Sequence, residues 1–202
     1  MREMKIRSAA EGARYHRDVG PRIYSDCPVQ RPRIERSREF VAKALGHLSP
    51  GSRIVELGCG TADITGPFSE KGWIVTGIEC NEKSVAIARE RFPKMFLYNE
   101  EIGSIRIAPA DLVVMCEVLE HLADPKAEVR HWLGIANAAV ISHPIDEPLD
   151  SELSAGEHQW SFSEHDLEEW FELGGMKLKE QLIFPMGSYR IGLAYGVREV
   201  ST

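Results

Sequence analysis

No stretch of this sequence approaches the roughly 20 apolar residues that cross a bilayer. Its first residues, MREMKIRSAAEGARYHRD, carry charge where a secretion signal has its apolar segment. The four cysteines, Cys27, Cys59, Cys80 and Cys116, include no C-x-x-C pair. That absence argues against a structural zinc site and against a disulfide framework. Three of the four end apolar runs, where a free cysteine behaves as a small hydrophobe. A reduced, cytoplasmic location is therefore expected. Repeats and low-complexity tracts are missing too, and 202 residues suit one ordinary domain better than two.

Charge of one sign is scarce in each part of the chain. Residues 1–40 hold ten Lys/Arg against six acids, and the remainder holds 14 against 25, so +4 precedes −11 in a net −7. An acidic body disfavours a polyanion lying across it, so no nucleic-acid partner is expected. The basic start reads more simply as a solvated face. Oligomeric state is left open.

Residues 1–33 contain three prolines and no sustained periodicity, and read as an N-terminal arm or lid ahead of a domain spanning 34–202. A helix is expected over about 34–48, where Ile34, Phe40, Val41, Ala44, Leu45 and Leu48 recur at helical spacing. Pro50–Gly51 ends it. Short apolar runs then alternate with helical stretches, as in a parallel α/β sheet. Strands are expected at 52–57, 73–79, 94–98, 110–116 and 138–142, and two more in the tail. Helices are expected at 61–71, 81–92 (capped by Asn81), 125–135, and from Ser163 to Leu173. The fold class is α/β: a Rossmann-like, doubly wound sheet, mostly parallel with an antiparallel C-terminal strand, and helices on both faces.

The most informative segment is IVELGCGTAD, residues 54–63. A strand enters a Gly-x-Gly turn and a helix pattern follows, which supplies unusual backbone angles, close approach for a ligand and free N–H groups. A dinucleotide loop would have a third glycine where this chain has Asp63, an anion unsuited to a pyrophosphate. The next strand ends in Glu79, about 20 residues on, where a carboxylate can accept from ribose hydroxyls.

Those residues, with GIEC at 77–80 and ADLVVMCEVLEHLADP at 110–125, resemble class I S-adenosylmethionine (SAM)-dependent methyltransferases, the ubiquinone-biosynthesis-like branch in particular. The resemblance runs over roughly 34–195. It implies SAM as cofactor, S-adenosylhomocysteine as product, and a small-molecule oxygen or nitrogen as acceptor. Glu56, Gly58, Cys59 and Gly60 would hold the methionine part and Glu79 the ribose, with Asp63 and Cys80 also among the cofactor contacts. Asn99 or Glu100 would face the adenine, and Cys116 and Glu117 the sulfonium. The family often has Asp after its third strand, where this chain has Tyr98-Asn99-Glu100-Glu101.

The cluster Cys116-Glu117-Val118-Leu119-Glu120-His121 sits where α/β folds place their chemistry, and a helical turn would bring Glu117, Glu120 and His121 to one face. His121 is the expected general base; Glu117, Glu120 and the later His158 are the other candidate catalytic groups. A weaker resemblance, to small-RNA 3′-terminal 2′-O-methyltransferases, implies instead that Glu117, Glu120, His121 and His158 bind a divalent metal. No metal is expected on the main reading. A third possibility is that these groups only cap a turn. Tyr15, His143 and Trp160 are candidate substrate contacts. The remaining rival is a SAM-binding regulatory module without catalysis.

Overall fold

The computed structural model describes residues 1–3, 14, 17, 20–107, 109–147, 158–187 and 189–199. Its strands are β1 (Arg2–Glu3), β2 (Arg53–Leu57), β3 (Ile74–Ile78), β4 (Phe96–Tyr98), β5 (Leu112–Cys116), β6 (Ala138–Ile145), β7 (Trp160–Ser161), β8 (Lys177–Met186) and β9 (Tyr189–Val197). The helices are α1 (Arg31–Leu45), α2 (Gly66–Glu70), α3 (Glu82–Arg91), α4 (Pro125–Gly134) and α5 (Glu164–Leu173). Seven strands form one sheet in the order β4-β3-β2-β5-β6-β9-β8. The first five are parallel, and β9 runs antiparallel to both β6 and β8.

The pleat explains why the central strands read as unbroken apolar runs. Leu112, Val114 and Cys116 of β5 join a core with Ile34 and Phe40 of α1 and Phe68 of α2. Val113 and Met115 point the other way, onto Trp132 of α4 and Trp170 of α5. Successive side chains thus enter opposite layers, and both layers are dry. Burying a large apolar side chain such as Phe40 or Leu112 contributes roughly 1.5–3 kcal/mol, and both are essentially inaccessible.

Three of the departures from the expected boundaries have a clear local cause. Helix α1 starts at Arg31, ahead of Ile34, because Pro32 falls in its first turn, where a missing N–H is harmless. The helix expected from Thr61 shortens to α2, because Ala62 adopts φ +61° and breaks the helical path. Strand β6 continues past Ser142 to Ile145, where β5 has ended and β9 remains its paired strand, with a single bridge from Ile145 to Phe162; Pro144 is tolerated on the side that β5 has left. The chain steps outward from β2 to β4 and then returns to place β5 on the other side of β2. The reversal opens a crevice at the carboxyl ends of β2 and β5, where such sheets bind ligands.

Among the described residues no helix is long and apolar enough to cross a membrane.

Candidate functional site

Above that crevice lies a cavity of about 910 Å³. Its floor is the turn after β2, where Gly58 and Gly60 adopt φ +64° and +52°. A Cβ at Gly58 would stand 2.7 Å from Val118 Cγ2, whereas a Cβ at Gly60 would meet nothing within 4 Å. The first glycine permits close packing, and the second leaves bare backbone facing open space.

Three acids shape this end. Glu56 is buried and accepts from the N–H and hydroxyl of Thr65; burial raises its pKa to about 8. Glu79 accepts from the backbone N–H of Gly60 at 2.9 Å and of Asn81 at 2.8 Å. It therefore locks the glycine turn; Oε1 also accepts the Cys80 thiol at 3.6 Å, while Oε2 keeps a second lone pair. Asp63 departs from its expected role. Its carboxylate receives the Tyr24 N–H, the hydroxyls of Ser25 and Thr61, and an ion pair from Arg91 at 2.9 Å. Burial raises its pKa, but those partners together hold it below the ordinary value. Asp63 reaches the cavity wall, yet its work is to fasten the segment around Tyr24 to the glycine turn, and Arg91 neutralises its charge.

Cys59, Cys80, Cys116 and Glu100 line the cavity, joined by Glu101 and Ile102. Burial and the neighbouring carboxylates push the Cys80 and Cys116 thiols up to about 12, and Cys59 well above its usual value. None is a thiolate nucleophile at neutral pH. Asn99 stands outside the cavity. Its side chain is exposed and donates to the Glu79 carbonyl at 3.0 Å, just beyond the end of β4, whereas Glu100 lines the cavity.

The other end of the cavity carries the acid–histidine cluster. Glu117 does not share a helical face with Glu120. It takes φ +55°, a costly conformation for a side-chain-bearing residue, and a short 3₁₀ turn, Leu119–His121, follows. Ser142 donates its hydroxyl to Glu117 at 2.8 Å. Nevertheless Glu117, Glu120, His121 and His158 all line one cavity.

His158 arrives through backbone stitching. The Gln159 N–H donates to the Glu120 carbonyl at 2.7 Å, its side chain donates to the His121 carbonyl at 2.7 Å, and Trp160 Nε1 donates to the Leu122 carbonyl at 2.7 Å. These bonds hold the His121 and His158 rings 4.8 Å apart. Behind His158, Glu147 bonds Nδ1 at 2.5 Å. Burial lowers the His158 pKa, but Glu147 and then Glu120 more than offset it, raising the value to about 9. His158 is thus an imidazolium near pH 7 and does not serve as a base there. Glu120 is raised to about 8, first by burial and then by Glu117; burial also raises Glu117. One donor atom each from Glu120, His121 and His158 lies within 4.8 Å of the others, so this trio could hold a metal ion.

The expected substrate contacts fare differently. His143 is fully buried, outside the cavity, with Nδ1 against the Pro144 carbonyl and its ring 4.7 Å from Phe162. Burial lowers it to about 4, so it is a neutral core residue: the strand pleat turns it into the α5 side of the sheet. Trp160 also lies outside the cavity, where its indole anchors the 3₁₀ turn. Tyr15 falls outside the described residues. Sequence reasoning missed Glu147, Arg33, Met186 and Tyr189, which line the cavity. Glu147 sits in the acidic run DEPLD, with nothing to mark it off from a surface acid.

A family model described as a methyltransferase domain matches residues 29–181. Ubiquinone biosynthesis O-methyltransferase of Bordetella avium is 31% identical over 99 residues, covering 46% of this chain and 41% of that protein. The chain thus spans about two fifths of the length of that relative. The sheet and helices superpose on magnesium protoporphyrin IX methyltransferase from Synechocystis PCC 6803, solved with S-adenosylhomocysteine, at TM-score 0.71 and 17% identity, covering 94% of each chain. The N-methyltransferase NodS from Bradyrhizobium japonicum, also solved with S-adenosylhomocysteine, gives TM-score 0.71 at 16% identity, covering 95% of this chain and 99% of that one. At such identities the two structures show a shared fold.

Proposed function

The chain belongs to the methyltransferase-domain family, and on that premise we propose that it moves a methyl group from SAM to an oxygen or nitrogen of a small-molecule acceptor. One observation carries this reading: the glycine turn with its carboxylates and the acid–histidine cluster open into the same cavity.

The residues at the glycine end fit the cofactor. SAM brings a sulfonium, an ammonium and a carboxylate, with no phosphate. Gly58, Cys59 and Gly60 give exposed backbone to its methionine part, with Glu56 supplying negative charge. The free lone pair of Glu79 Oε2 would suit a ribose hydroxyl, with Cys80 beside it, and Glu100 would face the adenine. Cys116 and Glu117 flank the sulfonium. SAM supplies an electrophilic methyl carbon, which a nucleophile opposite the sulfur displaces in line. The protein holds the acceptor in line, a matter of proximity and orientation, and His121 takes the acceptor's proton, a contribution of roughly 10²–10⁴-fold. His158, held by Glu147, donates from its imidazolium. Residues from Gly20 to Arg33 line the cavity, which supports reading residues 1–33 as a lid. All four thiols are free, in keeping with a proposed cytoplasmic location.

Incubation with SAM and a panel of small acceptors tests the proposal. Release of S-adenosylhomocysteine supports it; tight SAM binding without release under any acceptor would favour a non-catalytic SAM-binding module. A second reading, metal-assisted transfer including transfer to an RNA 3′ end, is favoured by the trio Glu120, His121 and His158 with Glu147 behind it, since a carboxylate commonly orients a ligating imidazole. Activity abolished by EDTA and restored by Mn²⁺ would select it.

A further inference from the structure

Five carboxylates are buried among the described residues: Glu56, Asp63, Glu120, Glu147 and Asp166. Four are satisfied, by Thr65, by Arg91 and its companions, by His158, and by Ser163 with the Met1 ammonium. Glu120 is the exception. It is 1% exposed, and neither carboxylate oxygen has a hydrogen-bond partner. His121 Nε2 stands 3.8 Å from Oε1, beyond hydrogen-bond reach. Three acids, Glu117, Glu120 and Glu147, share this end of the cavity with two cations: His158, hydrogen-bonded to Glu147, and Arg33, whose charge acts first on Glu117; neither gives Glu120 a hydrogen bond. A buried acceptor pair without donors is costly to keep, and this one faces the cavity. The same cavity also has apolar lining, from Val29, Ile34, Leu122, Pro144 and Met186, among its polar groups.

We infer that the methyl acceptor is a primary amine on an apolar body, its ammonium received by Glu120. This rests on the methyl-transfer reading above. A hydroxyl brings one donor and no charge to two bare oxygens. An ammonium brings three N–H donors and a positive charge that draws Glu120, raised to about 8 without ligand, into its ionised form. In the reaction the ammonium gives one proton to the His121 imidazole and recovers its lone pair. The N–C bond then forms as the C–S bond of SAM breaks. The products are the methylated ammonium, S-adenosylhomocysteine and a protonated His121, which passes its proton to solvent.

The experiment uses the full chain in EDTA-containing buffer and matched probes, 2-phenylethylamine against 2-phenylethanol and hexylamine against hexanol. S-adenosylhomocysteine release is followed by mass spectrometry, and binding to the S-adenosylhomocysteine-loaded chain by calorimetry. Expected are turnover and saturable binding of the amines at least tenfold above the alcohols. Glu120→Gln should abolish that preference while leaving S-adenosylhomocysteine affinity within a few-fold, which also shows that the variant folds; Glu120→Asp should retain part of it. Preference for the alcohols, or an unchanged preference in Glu120→Gln, overturns the amine assignment and leaves methyl transfer standing. Amine turnover that is absent in this buffer and appears when Mn²⁺ replaces EDTA gives the carboxylate to a metal and overturns it as well. If S-adenosylhomocysteine itself does not bind, the methyl-transfer reading falls first and the amine assignment with it.

Discussion

Two histidines in this cleft share a ring contact and divide the work through their partners. His158 leans on Glu147 and is charged near pH 7, which leaves His121 as the proposed base. His121→Ala should lower turnover roughly 10²–10⁴-fold with SAM affinity within a few-fold; steady-state rates and a calorimetric titration check the two halves, and unchanged turnover retires the base role. Glu79→Ala should weaken SAM binding by about 1.5–3 kcal/mol, the worth of charge-assisted hydrogen bonds, or roughly tenfold to a hundredfold in Kd. The same titration reads this out, and a wild-type Kd would remove Glu79 from the ribose end. Residue-level chemistry was only half legible beforehand. Glu117, Glu120 and His121 are neighbours in sequence, so any turn gathers them. Glu147 and Arg33 reach the cavity only through a strand end and a helix packed from elsewhere, and no local pattern announces that.

At the scale of elements, the site depends on how the return segment is fastened. Strand β1 pairs with β7, and the Met1 ammonium bonds Asp166, which also closes the capping box of α5 with Ser163. Asp166→Ala removes the cap and leaves a part-buried ammonium unpaired. The expected cost is about 1–3 kcal/mol, seen as a lower midpoint in thermal or urea unfolding; a midpoint within error of wild type would contradict it. The glycine turn has its own requirement. Gly58→Ala would place a Cβ 2.7 Å from Val118 Cγ2 at φ +64°, so both stability and SAM affinity should fall, the backbone strain alone being about 1 kcal/mol or more. Elements were the most legible part of the sequence, because apolar runs and helical spacing report burial directly. Boundaries strayed where one residue overruled its neighbours, as Ala62 did in ending the helical path and Pro32 in opening α1.

For the whole molecule, titrating groups set how stability follows pH. Glu56 and Glu120 are raised from 4.5 to about 8, and His158 from 6.5 to about 9. A raised folded pKa means that the folded state holds the proton longer, so stabilisation is full below the unfolded value and is lost as pH rises through the folded one. His143, depressed from 6.5 to about 4, has the opposite sign: its contribution is lost as pH falls from 6.5 towards 4. The ligand-free chain should therefore lose thermal stability between about pH 6.5 and 9, and saturating SAM, a cation beside these acids, should flatten that decline. A ligand-free Tm that climbs over that range would contradict the assignment. Topology was legible because alternating strands and helices admit few arrangements, and the reversal between β2 and β5 follows from them. The acceptor was not, since what selects it is a three-dimensional count of donors and acceptors around Glu120.

The central claim is that the turn at Gly58–Gly60, framed by Glu56 and Glu79, holds an adenosyl cofactor that carries no phosphate. Calorimetric titration of the purified chain with SAM, beside NAD⁺, tests it most directly. One saturable site per chain for SAM, and none for NAD⁺, is the predicted result. No saturable heat and no thermal shift with SAM, or a preference for NAD⁺, would contradict it.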